Sequence, residues 1–206
     1  MGKKIESNLK NMVIVLFTIT LIASTAVGYI YTVTAGPIEE AKAQKQANAI
    51  KEVIPVKFDK IDKARLATDA DSVNVFFAKK DNKLVGTAVE TFSKNGFSGK
   101  IAIMVGINPE GAVTGYSVLE ANETPGLGSK MDKWFTKEGK GNVIGMKPGD
   151  KGLMVSKDGG EVNAITSATI TSRAFCDAIN REVSAIGKDH CDAKSGSTKI
   201  KTKQTN

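Results

Sequence analysis

A single histidine stands among the 206 residues, at position 190, close to the C-terminal end. Hydroxyl and thiol nucleophiles need a neighbouring base to take up their proton. A Ser–His or Cys–His centre on this chain therefore has one base to draw on, and the row of five hydroxyls at 166–172 lies away from it in sequence. Cysteine is nearly as scarce, with only Cys176 and Cys191. Two cysteines and one distant histidine make no convincing zinc set. They are also too few for a disulfide scaffold, and their spacing leaves open whether they pair with each other. Aromatic residues make up 6% of the chain, and Trp134 is the only tryptophan. Internal repeats and heptads are absent.

Charge is present but unevenly placed. The formal net charge is +7, which suggests a nucleic-acid partner until it is located. Residues 1–11 carry +2, residues 187–206 carry +3, and the 175 residues between them carry only +2. Basicity confined to the ends gives the body no nucleic-acid footprint, so no nucleic-acid partner is expected.

Charge is missing altogether from Met12 to Val33, "MVIVLFTITLIASTAVGYIYTV", 22 consecutive residues. At ~1.5 Å rise per residue this reaches roughly 33 Å, enough for a hydrocarbon core of ~30 Å. Tyr29 and Tyr31 stand near its far end, where amphipathic rings favour the interface. Lys3, Lys4 and Lys10 precede it, so residues 1–11 are expected in the cytoplasm and the chain after about residue 34 on the other side. A cleaved secretory signal is the alternative, with "STA" at 24–26 as a cleavage site. The apolar run is too long for a typical signal core, which favours an uncleaved anchor. Both versions export the body.

After the anchor, Gly36-Pro37 is expected to break the helix, and residues 38–53 to form a separate polar surface helix with Pro at its first turn, ended by Pro55. Residues 34–71 then serve as membrane-proximal helix and linker. Residues 72–187 form the folded domain, and residues 188–206 a polar, Lys-rich tail with the composition of a disordered segment. Within the domain, "SVNVFFAKK" and "KLVGTAVETF" flank Asp81-Asn82 as a hairpin, and "GKIAIMVGIN" and "AVTGYSVLEA" flank "PEG" at 109–111 as another. "SKMDKWFTKEG" reads as a short helix, and "LMVSKDGGEVNAI" as two short strands about a Gly-Gly turn. "TSRAFCDAINREVSAI" (171–186) has helical apolar spacing, with Gly187 as its stop. The fold class is α+β: one N-terminal transmembrane helix, then an exported domain with an antiparallel sheet and flanking helices.

Two stretches carry candidate chemistry. "ITSATITSRAF" (165–175) places five hydroxyls, Thr166, Ser167, Thr169, Thr171 and Ser172, within seven positions at a helix start. One or two would cap the helix. The excess suits a phosphate, because helix N-termini attract anions and hydroxyls add donors. Capping and phosphate binding both remain open on these residues alone, whereas a hydrolase nucleophile lacks its base. "ETPGLG" (123–128) fixes one position with Pro125 and strips side chains at Gly126 and Gly128 around Leu127. That permits either a tight connection or the close approach of a flat ligand. It lacks the G-x-G-x-x-G spacing of a dinucleotide site.

The order of an N-terminal anchor, "ETPGLGSK" and "AITSATITSRAF" resembles the FMN-binding domain family of the Rnf electron-transport complex, where it forms the G subunit. The C subunit of the sodium-translocating NADH:quinone reductase shares that domain and is the alternative assignment, although it is usually longer. A non-redox exported binding module is the third reading. The likeness runs from about residue 5 to 187 and is strongest over 96–130. In the family a flavin transferase joins FMN to a threonine through a phosphoester, at a motif usually written S-G-A-T. Thr166-Ser167-Ala168-Thr169 lies beneath that motif, followed by Ile170-Thr171-Ser172, so the implied acceptor is Thr169. Thr166 replaces the usual Ser, Ser167 the usual Gly, and Asn163 a common Asp.

The resemblance further implies that Glu123, Thr124, Gly126, Leu127 and Gly128 lie against the isoalloxazine ring. It implies an electron carrier without substrate chemistry of its own, working in an ion-translocating complex between reduced ferredoxin and NAD. Integral membrane and iron–sulfur subunits are the implied partners. The implied place is the bacterial inner (cytoplasmic) membrane, single-pass, with the domain on the periplasmic side.

Overall fold

The computed structural model describes residues 8–67, 72–81, 83–148 and 152–193, with side chains omitted at 66, 67, 72 and 182–193. The chain divides into two units between Lys45 and Gln46. Most of the first is the helix α1 (Leu9–Val53), long and apolar enough by length and composition to cross a membrane. Its hydroxyls do not stay idle. Thr18 donates to the Ile14 carbonyl (2.8 Å), Thr25 to Leu21 (2.7 Å) and Thr34 to Ile30 (2.8 Å), one turn back in each case. A polar side chain satisfied by its own helix has far less to lose in hydrocarbon.

Gly36-Pro37 does not end this helix; Pro37 lies inside it, and the expected separate helix over 38–53 is its continuation. A proline removes one backbone donor and costs about 3 kcal/mol in a helix interior. Here the flanks outweigh it: the apolar run lies on one side and the helix-forming Ala, Glu, Lys and Gln of "IEEAKAQKQANAIKEV" on the other.

The second unit is built on a five-stranded antiparallel meander in the order β1 (Lys60–Ala67), β2 (Ser72–Lys80), β3 (Lys83–Gly96), β4 (Gly99–Ile107) and β5 (Val113–Ala121). Both expected hairpins are present, although Asn82 of the first turn lies outside the described residues. β1 falls in the expected linker. "KIDKARLA" reads poorly as a strand because it is an edge, where charged residues discourage further pairing. Lys79 pairs with Asp62 across it at 2.7 Å and holds that carboxyl below its usual range.

The sheet is covered on both faces. On one, the last turn of α1 places Ala49, Ile50, Val53 and Ile54 against Phe76, Ala78, Ala88 and Met104. Gly106 and Gly115 open the room it needs: a Cβ on Gly115 would meet the Val53 Cα at 3.1 Å, and Thr114 Oγ1 donates to the Val53 carbonyl at 2.6 Å. On the other face lies α3 (Thr169–Ala193), with Phe175 at the centre of the larger core cluster. Phe175 stacks on Phe135 at 4.1 Å and meets Tyr116 edge-on at 4.8 Å. The Tyr116 hydroxyl, its pKa raised by burial, donates to the Met131 carbonyl and accepts from Phe135 N.

α3 starts two residues before the expected Thr171 and runs past Gly187 to Ala193. A lone glycine inside a helix costs only about 1 kcal/mol and need not stop it. Residues 194–206 of the expected tail lie outside the described residues. The expected short helix is a 3-10 turn (Gly128–Lys130) followed by α2 (Met131–Trp134). The two short strands expected in "LMVSKDGGEVNAI" reduce to one isolated bridge, Val155 to Val162, about the 3-10 turn Ser156–Asp158. Three apolar residues a side close a bridge but cannot extend a ladder without a sheet beside them.

Candidate functional site

The Glu123 carboxylate gathers three segments. Glu123 follows β5 and is buried. Its Oε2 accepts from Thr171 Oγ1 at 2.8 Å, and its Oε1 accepts from Ser98 N, at the β3–β4 turn, at 3.3 Å. Gly128 closes over the same carboxylate: a Cβ there would lie 2.5 Å from Oε2 and 2.8 Å from Thr171 Oγ1. "ETPGLG" and "ITSATITSRAF" thus meet, 48 residues apart, through Glu123, Gly128 and Thr171. Between them the loop turns on Gly126, in the left-handed region at φ 75°, with its N–H donated to Ser129 Oγ at 2.9 Å. Thr124 accepts Leu127 N at 3.2 Å through its carbonyl, and Leu127 points outward, 39% exposed.

The five hydroxyls separate by environment. Thr171 is buried and committed to Glu123. Ser172 is buried and doubly used, donating to the Ala168 carbonyl at 3.0 Å and accepting Ile165 N at 2.9 Å, which ties the turn before α3 to the helix. Ala168 is buried beneath that turn and has no side-chain cap to offer. Thr166 and Ser167 are exposed in the turn. Thr169, the first residue of α3, is half-buried, and its Oγ1 accepts from Lys157 Nζ at 3.2 Å. One turn further along the helix, Arg173 grips Asp158 with two bonds of 2.7 Å, which holds that carboxyl below its usual range.

Beside this region an open cleft of about 350 Å³ is lined by Ser129, Lys130, Trp134 and Lys140, among others. Trp134 Nε1 donates to the Asn163 carbonyl at 2.9 Å, and Asn163 Nδ2 donates to the Lys140 carbonyl at 3.0 Å, so the cleft wall is tied to the strip that leads into Thr169.

Residues 96–184 match the family model described as FMN-binding domain. The chain is 30% identical over 187 residues to the G subunit of the Na(+)-translocating ferredoxin:NAD(+) oxidoreductase complex of Acetobacterium woodii, covering 82% of this chain and 87% of that one. It is 36% identical over 164 residues to the G subunit of the ion-translocating oxidoreductase complex of Erwinia tasmaniensis, covering 74% and 77%. Against the protein of the same name from Haemophilus influenzae it is 31% identical over 198 residues, covering 91% and 95%. The chain belongs to the G-subunit family of ion-translocating oxidoreductase complexes.

For a chain of this G-subunit family the backbone at Ser167 is informative. Its φ is 64°, in the left-handed region that only glycine enters freely. A glycine would enter this turn freely, and the serine holds it under strain. Ser167→Gly is expected to raise stability by about 0.5–1 kcal/mol, the relieved strain less the extra entropy glycine brings to the unfolded chain. Denaturant unfolding of the full chain checks it, and a loss of stability would show that the strain is absent.

The sequence reading of this G-subunit chain missed Lys157, Asp158 and Arg173. The signal available was "SKDGG", a lysine and an acid immediately before a Gly-Gly turn. It also left the cysteine pairing open. Cys176 is buried, and that burial pushes its thiol up to about 12, while the side chain of Cys191, and hence any pairing of the two, lies outside the described residues.

Proposed function

We propose that this G-subunit chain is a membrane-anchored electron carrier whose FMN is joined through its phosphate to Thr169. The observation that carries the reading is the sorting of the hydroxyls. Thr171 and Ser172 are buried and engaged, whereas Thr169 stands at the surface, at the head of a 25-residue helix, with an ammonium 3.2 Å from its oxygen. A phosphate there meets the positive end of the helix and a cation together. Ser167 in its left-handed turn supports the same reading, because glycine, which the resembled motif has at that position, enters such a turn freely.

For the ring, support comes from the surface around Glu123. Leu127 and Ile170 are 39% and 48% exposed, and each neighbours a residue packed on that carboxylate. Bare apolar side chains beside a rigid glycine loop and an open cleft suit a flat heteroaromatic ring. Glu123, Thr124, Gly126, Leu127 and Gly128 are thus proposed as ring neighbours, with Thr166 and Ser167 beside the phosphate.

The flavin would supply the electron-transfer chemistry, and the chain its position and field. α1 holds the carrier at the membrane, and the lysines before it support an extracytoplasmic side for the domain. The related protein of A. woodii belongs to a ferredoxin:NAD(+) oxidoreductase complex, and this chain is proposed to serve one of that kind beside its integral membrane and iron–sulfur subunits. A flavin transferase makes the ester from a flavin dinucleotide: the Thr169 oxygen bonds to the flavin-side phosphorus, the P–O–P bond breaks to release the other nucleotide as its monophosphate, and the hydroxyl proton is lost. The test is intact mass and in-gel fluorescence of the full chain produced with such a transferase. One FMN less one water, with yellow fluorescence that survives denaturation, is expected. A colourless protein of unmodified mass would overturn the proposal.

A further inference from the structure

We infer that Lys157 is the counter-ion of the flavin phosphate and that the Asp158–Arg173 pair exists to hold it there; this rests on the reading that Thr169 carries FMN. Lys157 is exposed, yet its Nζ sits 3.2 Å from Thr169 Oγ1. A neutral hydroxyl is a poor partner for an ammonium that could remain in water, and fixing a flexible four-carbon stem costs entropy. The placement makes sense when the partner is an anion one bond beyond that oxygen. Ester formation turns Oγ1 into the bridging oxygen of a phosphodiester, which carries one negative charge on its two free oxygens. Lysine is a donor only, so it takes the acceptor side of Oγ1 and leaves the hydroxyl proton available to depart.

The neighbouring ion pair matches this contact residue for residue. Lys157 and Asp158 are consecutive in one 3-10 turn, and Thr169 and Arg173 are four apart on one helix face. The turn therefore docks on α3 by two parallel contacts, ammonium to hydroxyl and carboxylate to guanidinium. Its backbone is closed by Asp158 N to the Val155 carbonyl and Ser156 N to the Val162 carbonyl, both 2.8 Å, and ends on Gly159 at φ 85°. Asp158 is matched to Arg173, while Lys157 makes no salt bridge of its own among the described residues. The cation left over is the one beside Thr169.

The experiment uses full-length protein made with a flavin transferase and reads the ³¹P resonance of the attached phosphodiester together with flavin per chain. Lys157→Met is expected to move the ³¹P resonance and to lower flavin incorporation about three- to fivefold at limiting transferase, the effect of losing one exposed charge-assisted bond. Lys157→Arg should restore both most of the way. Asp158→Asn should move the resonance part of the way, because the ammonium remains but its tether is loosened. Lys60→Met, on the edge strand, is the charge control and should move neither. An unmoved resonance in Lys157→Met overturns the proposal, even where incorporation falls, because that would reflect recognition by the transferase alone. A native chain with no phosphodiester at Thr169 by mass overturns the underlying reading as well, and so separates the two failures.

Discussion

Thr169→Ala, produced as the full chain with its flavin transferase, is expected to lose all denaturation-resistant flavin fluorescence while folding as well as the native protein. The first half follows from the proposed ester, which needs the oxygen. The second follows from what Thr169 does not do. It is half-buried, it makes no bond that closes the turn before α3, and alanine is the best helix former. Ser172 carries out the local tying. The stability change should stay within about 0.5 kcal/mol, as for other surface substitutions. Thr169→Ser keeps a hydroxyl and should keep flavin, at a reduced level.

The informative contrast is Thr171→Val two residues on, which removes the bond to a buried carboxylate. It should cost about 1–3 kcal/mol because Glu123 Oε2 loses its donor, yet the flavin should stay attached. In-gel fluorescence and denaturant unfolding on the three variants separate attachment from folding. Full fluorescence in Thr169→Ala would place the ester elsewhere.

That contrast also shows where sequence reasoning reached and where it stopped. The hairpins were legible because turn residues punctuate alternating apolar runs; Asn108-Pro109-Glu110-Gly111 closes β4 onto β5 as such a stretch should, with Asn108 Oδ1 accepting from Ala112 N at 2.8 Å. The edge strand β1 was not legible, since its charged pattern serves to prevent pairing rather than to direct it. Proline rules misjudged residue 37, because a local penalty was set against two strong flanks. At the site, the sequence marks both loops but not their junction. Whether a hydroxyl points inward to Glu123 or outward to Lys157 depends on the helix starting at Thr169, two residues earlier than its apolar spacing suggests. Lys157 was invisible for a related reason: its reach to Thr169 is fixed by the ion pair next to it, and that pairing is tertiary.

The second large effect lies behind the site, in the core. Phe175→Ala is expected to destabilise the domain by about 3–5 kcal/mol, the range for truncating a buried phenylalanine. The ring is fully buried between Phe135, parallel at 9° and 4.1 Å, and Tyr116, at 75° and 4.8 Å, so its removal leaves a cavity with two aromatic faces unpaired. Tyr116 and Phe135 are themselves linked by the phenol oxygen, which also donates to the Met131 carbonyl, so loss of Phe175 reaches the segment that carries α2. Trp134 is the only tryptophan and immediately precedes Phe135, which makes its emission a direct reporter of this layer in the unmodified full chain. A loss near 4 kcal/mol should lower the melting temperature by roughly 10 °C in a domain of this size. Thr169 lies six residues back along the same helix, on the surface side, so at a temperature where Phe175→Ala remains folded it should still accept flavin. Loss of less than about 1 kcal/mol would mean that the core closes over the gap. Loss of flavin from a folded Phe175→Ala would mean that the hydroxyl's placement depends on the aromatic layer, and not only on Ser172 and the Asp158–Arg173 pair at the head of α3.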